Sequence, residues 1–215
     1  MKKVFDEIYS DGKNFFTKSK TMEKVYGERI IEEEGNIFRQ WNPFKSKYCA
    51  ALQNGLKENI FKKGSTILYL GSAEGTTVSH VSDIVGDEGI IFCVDLSDIA
   101  MQKLASLAEK RENIFPILSD AQKIENYKED IEKVDTIFQD ISQRNQTEIF
   151  IKNSIFLKNG SYGALSLKTK SISQDKKEDT LAKEKDKLKD VFSIEQIISL
   201  EPFEKSHYLI LVKKK

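Results

Sequence analysis

The sequence predicts an α/β fold in which a doubly wound, mostly parallel sheet of seven strands follows a small antiparallel β unit. From residue 66 onward, short apolar runs alternate with helical patterns, as in parallel sheets covered by helices on both faces. The last two apolar runs have no helix between them, so the last strand is expected to pair antiparallel with its predecessor. Residues 1–40 instead contain short β-type runs separated by turn signals.

Turn signals define the N-terminal unit. Asp11-Gly12 and Glu34-Gly35-Asn36 are typical of hairpin turns, and Trp41-Asn42-Pro43 interrupts the chain after the last β-type run. We therefore expect two domains. A small antiparallel β unit covers residues 1–40, and the α/β domain covers residues 41–215.

The α/β domain is expected to begin with a helix over residues 45–60, whose Tyr48, Ala51, Leu52 and Leu56 share one face. Further helices are predicted over residues 76–85, 98–111 and 146–157, and a charged, solvated helix over residues 175–190. Strands are predicted over residues 66–70, 89–95, 114–118, 134–139, 162–167, 192–200 and 208–212. Because the last strand is antiparallel, its start at His207 is expected at the sheet edge where the first five strands end.

Composition limits the classes of protein that this chain can represent. Lys and Arg number 34 and Asp and Glu also number 34, so bulk charge gives no support for a protein that binds nucleic acid alone. Cys49 and Cys93 lie in apolar contexts without metal-type spacing, so we expect buried, reduced thiols and no bound metal. No apolar run approaches the roughly 20 residues that cross a bilayer. The first residues contain no apolar signal core, and we expect a cytoplasmic protein.

Polar residues follow the strands of the predicted sheet. The first strand runs into the glycine turn Gly71–Gly75, and the next three strands are followed by Asp95, Asp120 and Asp140. Open α/β sheets bind ligands at the edge where their parallel strands end. Asp95 can accept hydrogen bonds from ribose hydroxyls, or it can cap the next helix. Glu74, near the helix start, would repel a phosphate. A nucleoside without phosphate therefore fits this edge, and S-adenosylmethionine is the predicted cofactor.

Four further groups are expected at the same edge: Lys47, Asp140, Lys168 and His207. Two cations, a carboxylate and an imidazole could together orient or deprotonate a hydroxyl. A lysine that acts as a base needs a lowered pKa, which a second nearby cation supplies. Spacing alone does not decide between Lys168 and Lys170. His80, on the helix after the glycine turn, is interpreted as a packing residue.

Four segments of the chain together resemble the fibrillarin family: Tyr26–Arg29, Trp41–Lys47, Leu68–Asp83 and Asp140–Gln146. The resemblance covers almost the whole chain, and it is closer to the archaeal form, which has no glycine- and arginine-rich N-terminal region. It implies the Rossmann-like fold of the class I methyltransferases and transfer of a methyl group from S-adenosylmethionine to the 2′-hydroxyl of ribose. The implied substrate is rRNA, with tRNA as a further candidate.

The resemblance also implies site residues and partners. The family's catalytic set falls on Lys47, Asp140, Lys168 and His207, and Lys168-Thr169-Lys170-Ser171-Ile172 matches its pattern, which favours Lys168 over Lys170. Its cofactor contacts fall on Gly71, Ser72, Thr76, Thr77, Asp95, Asp120, Ala121, Asp140 and Gln143. The implied assembly is a box C/D guide ribonucleoprotein with a guide RNA, a target RNA, a Nop-family scaffold protein and a kink-turn-binding protein. Departures from the family pattern stand at Glu74, Asp95-Leu96 and Arg144.

Two alternatives stand beside this expectation. The chain could be a non-catalytic assembly subunit that retains the methyltransferase fold, which the neutral charge and the distinct N-terminal unit would suit. It could also methylate a small molecule or a protein. The Lys47, Lys168 and His207 cluster argues against that, because many such acceptors are already good nucleophiles.

Overall fold

The computed structural model describes residues 1–215 and contains two sheets. The first is antiparallel throughout, in the spatial order β1-β2-β3-β5-β4. Its strands are β1 (Lys2–Phe5), β2 (Ile8–Ser10), β3 (Phe15–Ser19), β4 (Ile30–Glu33) and β5 (Asn36–Trp41). The predicted antiparallel character and both hairpin turns are thus present. The division of the chain into domains at residue 40 stays a prediction.

The second sheet has seven strands in the order β11-β12-β10-β9-β6-β7-β8. They are β6 (Thr66–Leu70), β7 (Ile90–Asp95), β8 (Ile114–Leu118), β9 (Val134–Gln139), β10 (Leu157–Lys168), β11 (Phe192–Ser199) and β12 (His207–Lys214). Strand β12 lies between β11 and β10 and is antiparallel to both, whereas β6 to β10 pair in parallel. This confirms the predicted topology. The strand order reverses between β6 and β9, and ligands of open α/β sheets bind at such a reversal.

The helices are α1 (Lys47–Gln53), α2 (Thr76–Val85), α3 (Asp98–Ala108), α4 (Gln146–Asn153), α5 (Thr169–Ile172) and α6 (Lys177–Leu188). Several predicted bounds are wrong: α3 ends at Ala108 rather than at residue 111, β10 begins at Leu157 rather than at residue 162, and two further helices end early. Helix α1 stops before Asn54-Gly55 rather than at residue 60, because these two residues favour a turn. Helix α4 also stops early, and Asn159-Gly160 lies within β10 instead of closing the helix. None of the helices has the length and apolar character of one that crosses a bilayer.

Helices cover both faces of the large sheet. On one face, Tyr69, Phe138 and Leu209 pack with residues of α1, α2 and α3. On the other, the alternate strand residues Leu68 and Ile137 pack with α4 and α6. The charged helix α6 is solvated on most of its surface but buries Thr180, Glu184 and Leu188. Both cysteines are buried and free, as predicted.

Buried polar side chains join the small sheet to α2. Arg39 is fully buried, and its guanidinium lies 2.6 Å from Glu28 and 2.7 Å from Asp83 on α2. The Thr17 hydroxyl donates to the same carboxylate of Asp83, so it accepts from Nδ1 of His80, one turn earlier on α2 (2.7 Å). Nε2 of this neutral ring accepts from the Tyr26 hydroxyl (2.7 Å). The predicted packing role of His80 is therefore confirmed.

Candidate active site

The strand-order reversal brings Gly71 against Asp140. Gly71 directly follows β6 and Asp140 directly follows β9, and the backbone N–H of Asp140 donates to the carbonyl of Leu70 at 2.8 Å. Gly71 has a φ of +80°, and a Cβ atom there would lie 2.4 Å from the carbonyl oxygen of Asp140. Only glycine allows both the backbone conformation and the close approach. The start of the glycine turn is therefore fixed to the end of the neighbouring strand.

Asp95 links this turn to the next helix. Its Oδ2 accepts the backbone N–H of Ala73 at 2.8 Å, and its Oδ1 accepts the N–H of Ser97 at 2.9 Å. The alternative that Asp95 caps the next helix is therefore wrong, whereas a carboxylate that makes both bonds keeps free lone pairs at the sheet edge for a ligand. The side chain that caps α3 belongs to Ser97. Glu74 is exposed and paired with Lys103 at 2.5 Å.

A second polar pair forms between the loops after β8 and β9. The Oδ1 atom of Asp120 accepts the N–H of Gln122 at 2.9 Å and the amide Nε2 of Gln143 at 3.2 Å. Ala121 is buried beside them. The Oε1 atom of Gln143 is buried and has no hydrogen-bond partner, and the hydroxyl of Ser72 is in the same condition. Buried polar atoms are nearly always satisfied in folded proteins, so both are available to a ligand.

The two threonines of the glycine-turn helix differ in their surroundings. Thr76 is half-buried at the start of α2. The Thr77 hydroxyl donates to the Ser46 hydroxyl at 2.9 Å, and Ser46 in turn caps α1 by accepting the N–H of Cys49. Since Lys47 is the first residue of α1, Thr77 ties the helix that carries the glycine turn to the residue that precedes Lys47. Its predicted contact with the cofactor stays a prediction.

Lys47 and Asp140 form an ion pair at the sheet edge. The Nζ atom of Lys47 lies 2.9 Å from Oδ2 of Asp140, and about a quarter or less of each side chain is exposed. Burial disfavours the charged amine, but the charge and hydrogen bond of Asp140, together with Glu204, outweigh it and raise the pKa of Lys47 above its usual 10.5. The expected lowering of a lysine pKa by a second cation is therefore wrong for Lys47. This lysine remains an ammonium ion at neutral pH.

Lys168 and His207 are direct cross-strand partners at the last paired position of β10 and β12. Strand alternation places both, with Asp140, on the sheet face that α1 covers, since Ala164, Leu209 and Phe138 pack there. The structure thus brings all four predicted catalytic residues to one end of one face. Lys170, the alternative that spacing left open, is exposed on α5, beyond the end of the strand.

The surroundings of His207 fix its protonation state. Nδ1 lies 2.8 Å from the carbonyl oxygen of Lys205, so Nδ1 carries the proton and donates. Burial lowers the pKa of His207 below 6.5, and the positive charge of Lys47 lowers it further, while the Lys205 carbonyl and the acids Glu204 and Asp140 oppose this. The ring is therefore neutral at pH 7, with an unprotonated Nε2. His207 rather than Lys47 has the character of a proton acceptor.

Sequence reasoning missed two residues that support the site. Ser46 caps α1 in front of Lys47, and Gln146, fully buried, bonds to the backbone of Lys168. Ser46 carries a recognisable signal, because serine before a helical run is a common N-cap. Gln146 stands at the predicted helix start, three residues after Gln143, but nothing in the sequence shows which strand its amide reaches.

The sheet order, the glycine turn and the polar edge define the class of this protein, which has the fold of the class I methyltransferases, as the resemblance implied. The family model described as Fibrillarin matches residues 1–215. The chain therefore belongs to the fibrillarin family.

The matches to individual relatives cover most of both chains. A fibrillarin-like rRNA/tRNA 2′-O-methyltransferase of Thermococcus onnurineus is 50% identical over 194 residues, 89% of this chain and 86% of that protein. The crystal structure of Aeropyrum pernix fibrillarin with natively bound S-adenosyl-L-methionine has a TM-score of 0.85 at 37% identity and covers 93% of this chain and 88% of that one. Fibrillarin in a fibrillarin/Nop5p complex has a TM-score of 0.92 at 35% identity, with 100% of both chains covered.

Proposed function

We propose that this protein transfers the methyl group of S-adenosylmethionine to the 2′-hydroxyl of ribose in rRNA or tRNA. The arrangement that carries the proposal is the convergence of the Lys47–Asp140 ion pair and the Lys168–His207 strand pair on one face of the sheet edge. The names of the relatives supply the reaction and the substrate class. The roles of the individual residues rest on the physical arguments below.

The residues at the strand-order reversal fit the cofactor. Its nucleoside needs hydrogen-bond partners and little positive charge, which Asp95, Asp120 and the unpartnered atoms of Ser72 and Gln143 offer. When bound, S-adenosylmethionine supplies a methyl group on a positively charged sulfonium, which an oxygen nucleophile can displace in one step. We assign cofactor binding to these four residues and to Gly71, Thr76, Thr77, Ala121 and Asp140.

The protein's contribution to the reaction is orientation and removal of a proton. A neutral hydroxyl is a weak nucleophile, and placing it in line with the methyl group lowers the barrier by removing the cost of bringing the two together. We assign Nε2 of His207 as the group that accepts the hydroxyl proton, because Nδ1 already donates to Lys205. Lys47 and Lys168 stabilise the negative charge that develops on the hydroxyl oxygen, and Asp140 keeps Lys47 in place.

The balanced charge of the chain favours an enzyme that shares RNA binding with partners. With 34 basic and 34 acidic residues, the chain has little bulk attraction for RNA. We propose that it works in a box C/D ribonucleoprotein in which a guide RNA selects the target RNA by base pairing. The scaffold is a Nop-family protein, as the fibrillarin of the Nop5p complex suggests, and a kink-turn-binding protein completes the particle.

A reconstituted particle tests the catalytic proposal. Lys168→Ala is compared with Lys170→Ala, which removes an exposed lysine two residues away. We expect Lys168→Ala to lose methyl transfer to a guided RNA by about 10²-fold or more, as removal of a charge-stabilising group does, and Lys170→Ala to keep most of it. Undiminished transfer by Lys168→Ala would reject the role of this residue. Calorimetry of the protein alone with S-adenosylmethionine tests the alternative of a non-catalytic assembly subunit. Measurable binding argues against that alternative.

A further inference from the structure

Gln146 connects three parts of the site through one buried side chain. It is the first residue of α4 and is fully buried. Its Oε1 accepts the backbone N–H of Lys168 at 2.8 Å, and its Nε2 donates to the carbonyl oxygens of Lys168 at 3.3 Å and Gln143 at 3.1 Å. Its own carbonyl accepts from Nε2 of Gln139 at 2.6 Å. Both oxygens and both amide hydrogens of the residue's polar groups are thereby used.

The Gln146 amide replaces a missing strand. Strand β9 ends at Gln139, whose partner on β10 is Leu165, so β10 continues to Lys168 without a strand neighbour on that side. On the other side, Lys168 pairs with His207. The donor and acceptor of the Gln146 side chain occupy the positions that a neighbouring peptide group would otherwise fill. The backbone N–H and carbonyl of Lys168 are therefore held by this one side chain, since they point away from β12, and the bond to β12 at this end is made by the next residue, from the Thr169 N–H to the Ser206 carbonyl.

We propose that Gln146 is a positioning residue, which keeps Lys168 in register with His207 and at a fixed distance from the Gln143 loop. The inference rests on the proposed function of Lys168 and adds the means by which its position is set. The bond to the Gln143 carbonyl joins the catalytic lysine to the loop assigned to the cofactor. Small displacements of a reacting group lower rates steeply, so this connection affects the chemical step more than cofactor binding.

A matched control separates positioning from general stability. Asn113 is also a buried amide with two donated bonds, to the carbonyls of Ser82 and Gly86, and one accepted bond, from the Ser82 hydroxyl. It packs at the end of α2 that is remote from the glycine turn. Gln146→Met and Asn113→Leu each remove such an amide with little change of volume. Gln146→Glu keeps the acceptor for the Lys168 N–H and loses both donors.

The first measurement does not depend on activity. The only partner of the Lys168 N–H is the Gln146 side chain, so hydrogen exchange of this amide, followed by NMR, is expected to accelerate at least tenfold in Gln146→Met and to stay unchanged in Asn113→Leu. Equal exchange in wild type and Gln146→Met would overturn the proposal, whatever the activity of either protein.

The second measurement is the steady-state rate of the reconstituted particle below the unfolding temperature of every variant. We expect Gln146→Met to lower kcat by about 10-fold to 100-fold with a smaller change in the KM for S-adenosylmethionine. Gln146→Glu should recover part of kcat, and Asn113→Leu should keep the wild-type value.

A double variant distinguishes this inference from the proposed function. If Gln146 acts through Lys168, Gln146→Met adds little to the loss caused by Lys168→Ala. A wild-type kcat in Gln146→Met, with Lys168→Ala inactive, refutes the positioning role and leaves the proposed function intact. Full activity of Lys168→Ala refutes both.

Discussion

The Nζ atom of Lys47 lies 2.9 Å from Oδ2 of Asp140, although 93 residues separate them in the sequence. Two independent anchors produce this contact. Ser46 caps α1 immediately before Lys47 and is held by Thr77 of α2, while Asp140 directly follows β9 with its carbonyl against Gly71. The ion pair therefore joins helix α1 to the strand-order reversal, where the cofactor is assigned.

Asp140→Asn is expected to lower methyl transfer and the pKa of Lys47 together. The variant leaves burial, which lowers the pKa, without the charge that outweighs it. NMR titration of the Lys47 amine measures the pKa, and the particle assay measures the rate, which we expect to fall by at least about tenfold. Asp135→Asn is the control, because Asp135 pairs with Lys158 at the opposite end of β9. An unchanged Lys47 pKa in Asp140→Asn would contradict the assignment.

The pH dependence of the rate should report the neutral ring of His207. A proton acceptor is active when unprotonated, and burial places the pKa of this histidine below 6.5. We therefore expect the decrease of kcat on the acid side to be centred below pH 6.5. The lowered pKa of His207 also affects the free energy of unfolding. Its contribution to stability is complete above pH 6.5, the pKa in the unfolded chain, and is lost as pH falls through the lower pKa of the folded protein.

A His207→Gln variant tests whether that acid limb belongs to His207. It should be slower than wild type by about 10² to 10⁴-fold, the usual contribution of a general base, and its residual rate should have no acid limb from this residue. A wild-type profile whose acid limb is centred above 6.5, or one that persists unchanged in the variant, would assign the proton transfer elsewhere.

Gly71→Ala should damage the site more than an alanine at an equally unusual glycine. Gly12 has a φ of +95° and nothing within 4 Å of an added Cβ, so Gly12→Ala measures the backbone strain alone, about 1–2 kcal/mol. At Gly71 the added carbon also meets the Asp140 carbonyl and the Ile141 side chain. We expect a larger loss of unfolding free energy in urea and weaker S-adenosylmethionine binding by calorimetry. Equal losses in the two variants would refute the close-approach argument.

Some relationships at this site could be read from the sequence, and others could not. The meeting of Lys168 and His207 follows from topology, because two consecutive strands without a helix between them place the start of the last strand at the edge where β10 ends. The sequence also predicts Lys47 at this edge, and the family resemblance supports that prediction. Helix α1 lies outside the sheet, and side-chain bonds such as that of Thr77 to Ser46 set its position.

The protonation states of the site residues are the property that is hardest to predict from the sequence. A second cation near Lys47 suggested a lowered pKa, yet the 2.9 Å contact with Asp140 reverses the sign. The contribution of Gln146 was hidden for a related reason, since a side-chain amide can face any of several backbones. Spacing along the chain identifies the groups at an edge, whereas distances decide which of them are charged.

The buried ions that join the small sheet to α2 give the last prediction. Arg39→Met removes the cation between Glu28 and Asp83, and a buried pair broken in this way costs about 3–5 kcal/mol because an uncompensated charge stays behind. Arg111 still pairs with Asp83, so we expect the unpaired Glu28 to dominate the loss. The control is Lys110→Met, whose exposed partner is Glu23 and whose loss should cost at most about 1 kcal/mol.

The single tryptophan lies where the small sheet contacts α2 and can be used to follow the unfolding of this region. Trp41 is fully buried and stacks on His80 with ring centroids 4.9 Å apart, so its fluorescence follows unfolding where the small sheet meets α2. A second variant, Arg39→Met with Glu28→Gln, removes the leftover charge and should regain part of the stability. Because α2 begins directly after the glycine turn, Arg39→Met should also weaken S-adenosylmethionine binding, whereas Lys110→Met should not. Equal unfolding midpoints for the two single variants would show that the buried ions contribute no more than an exposed pair.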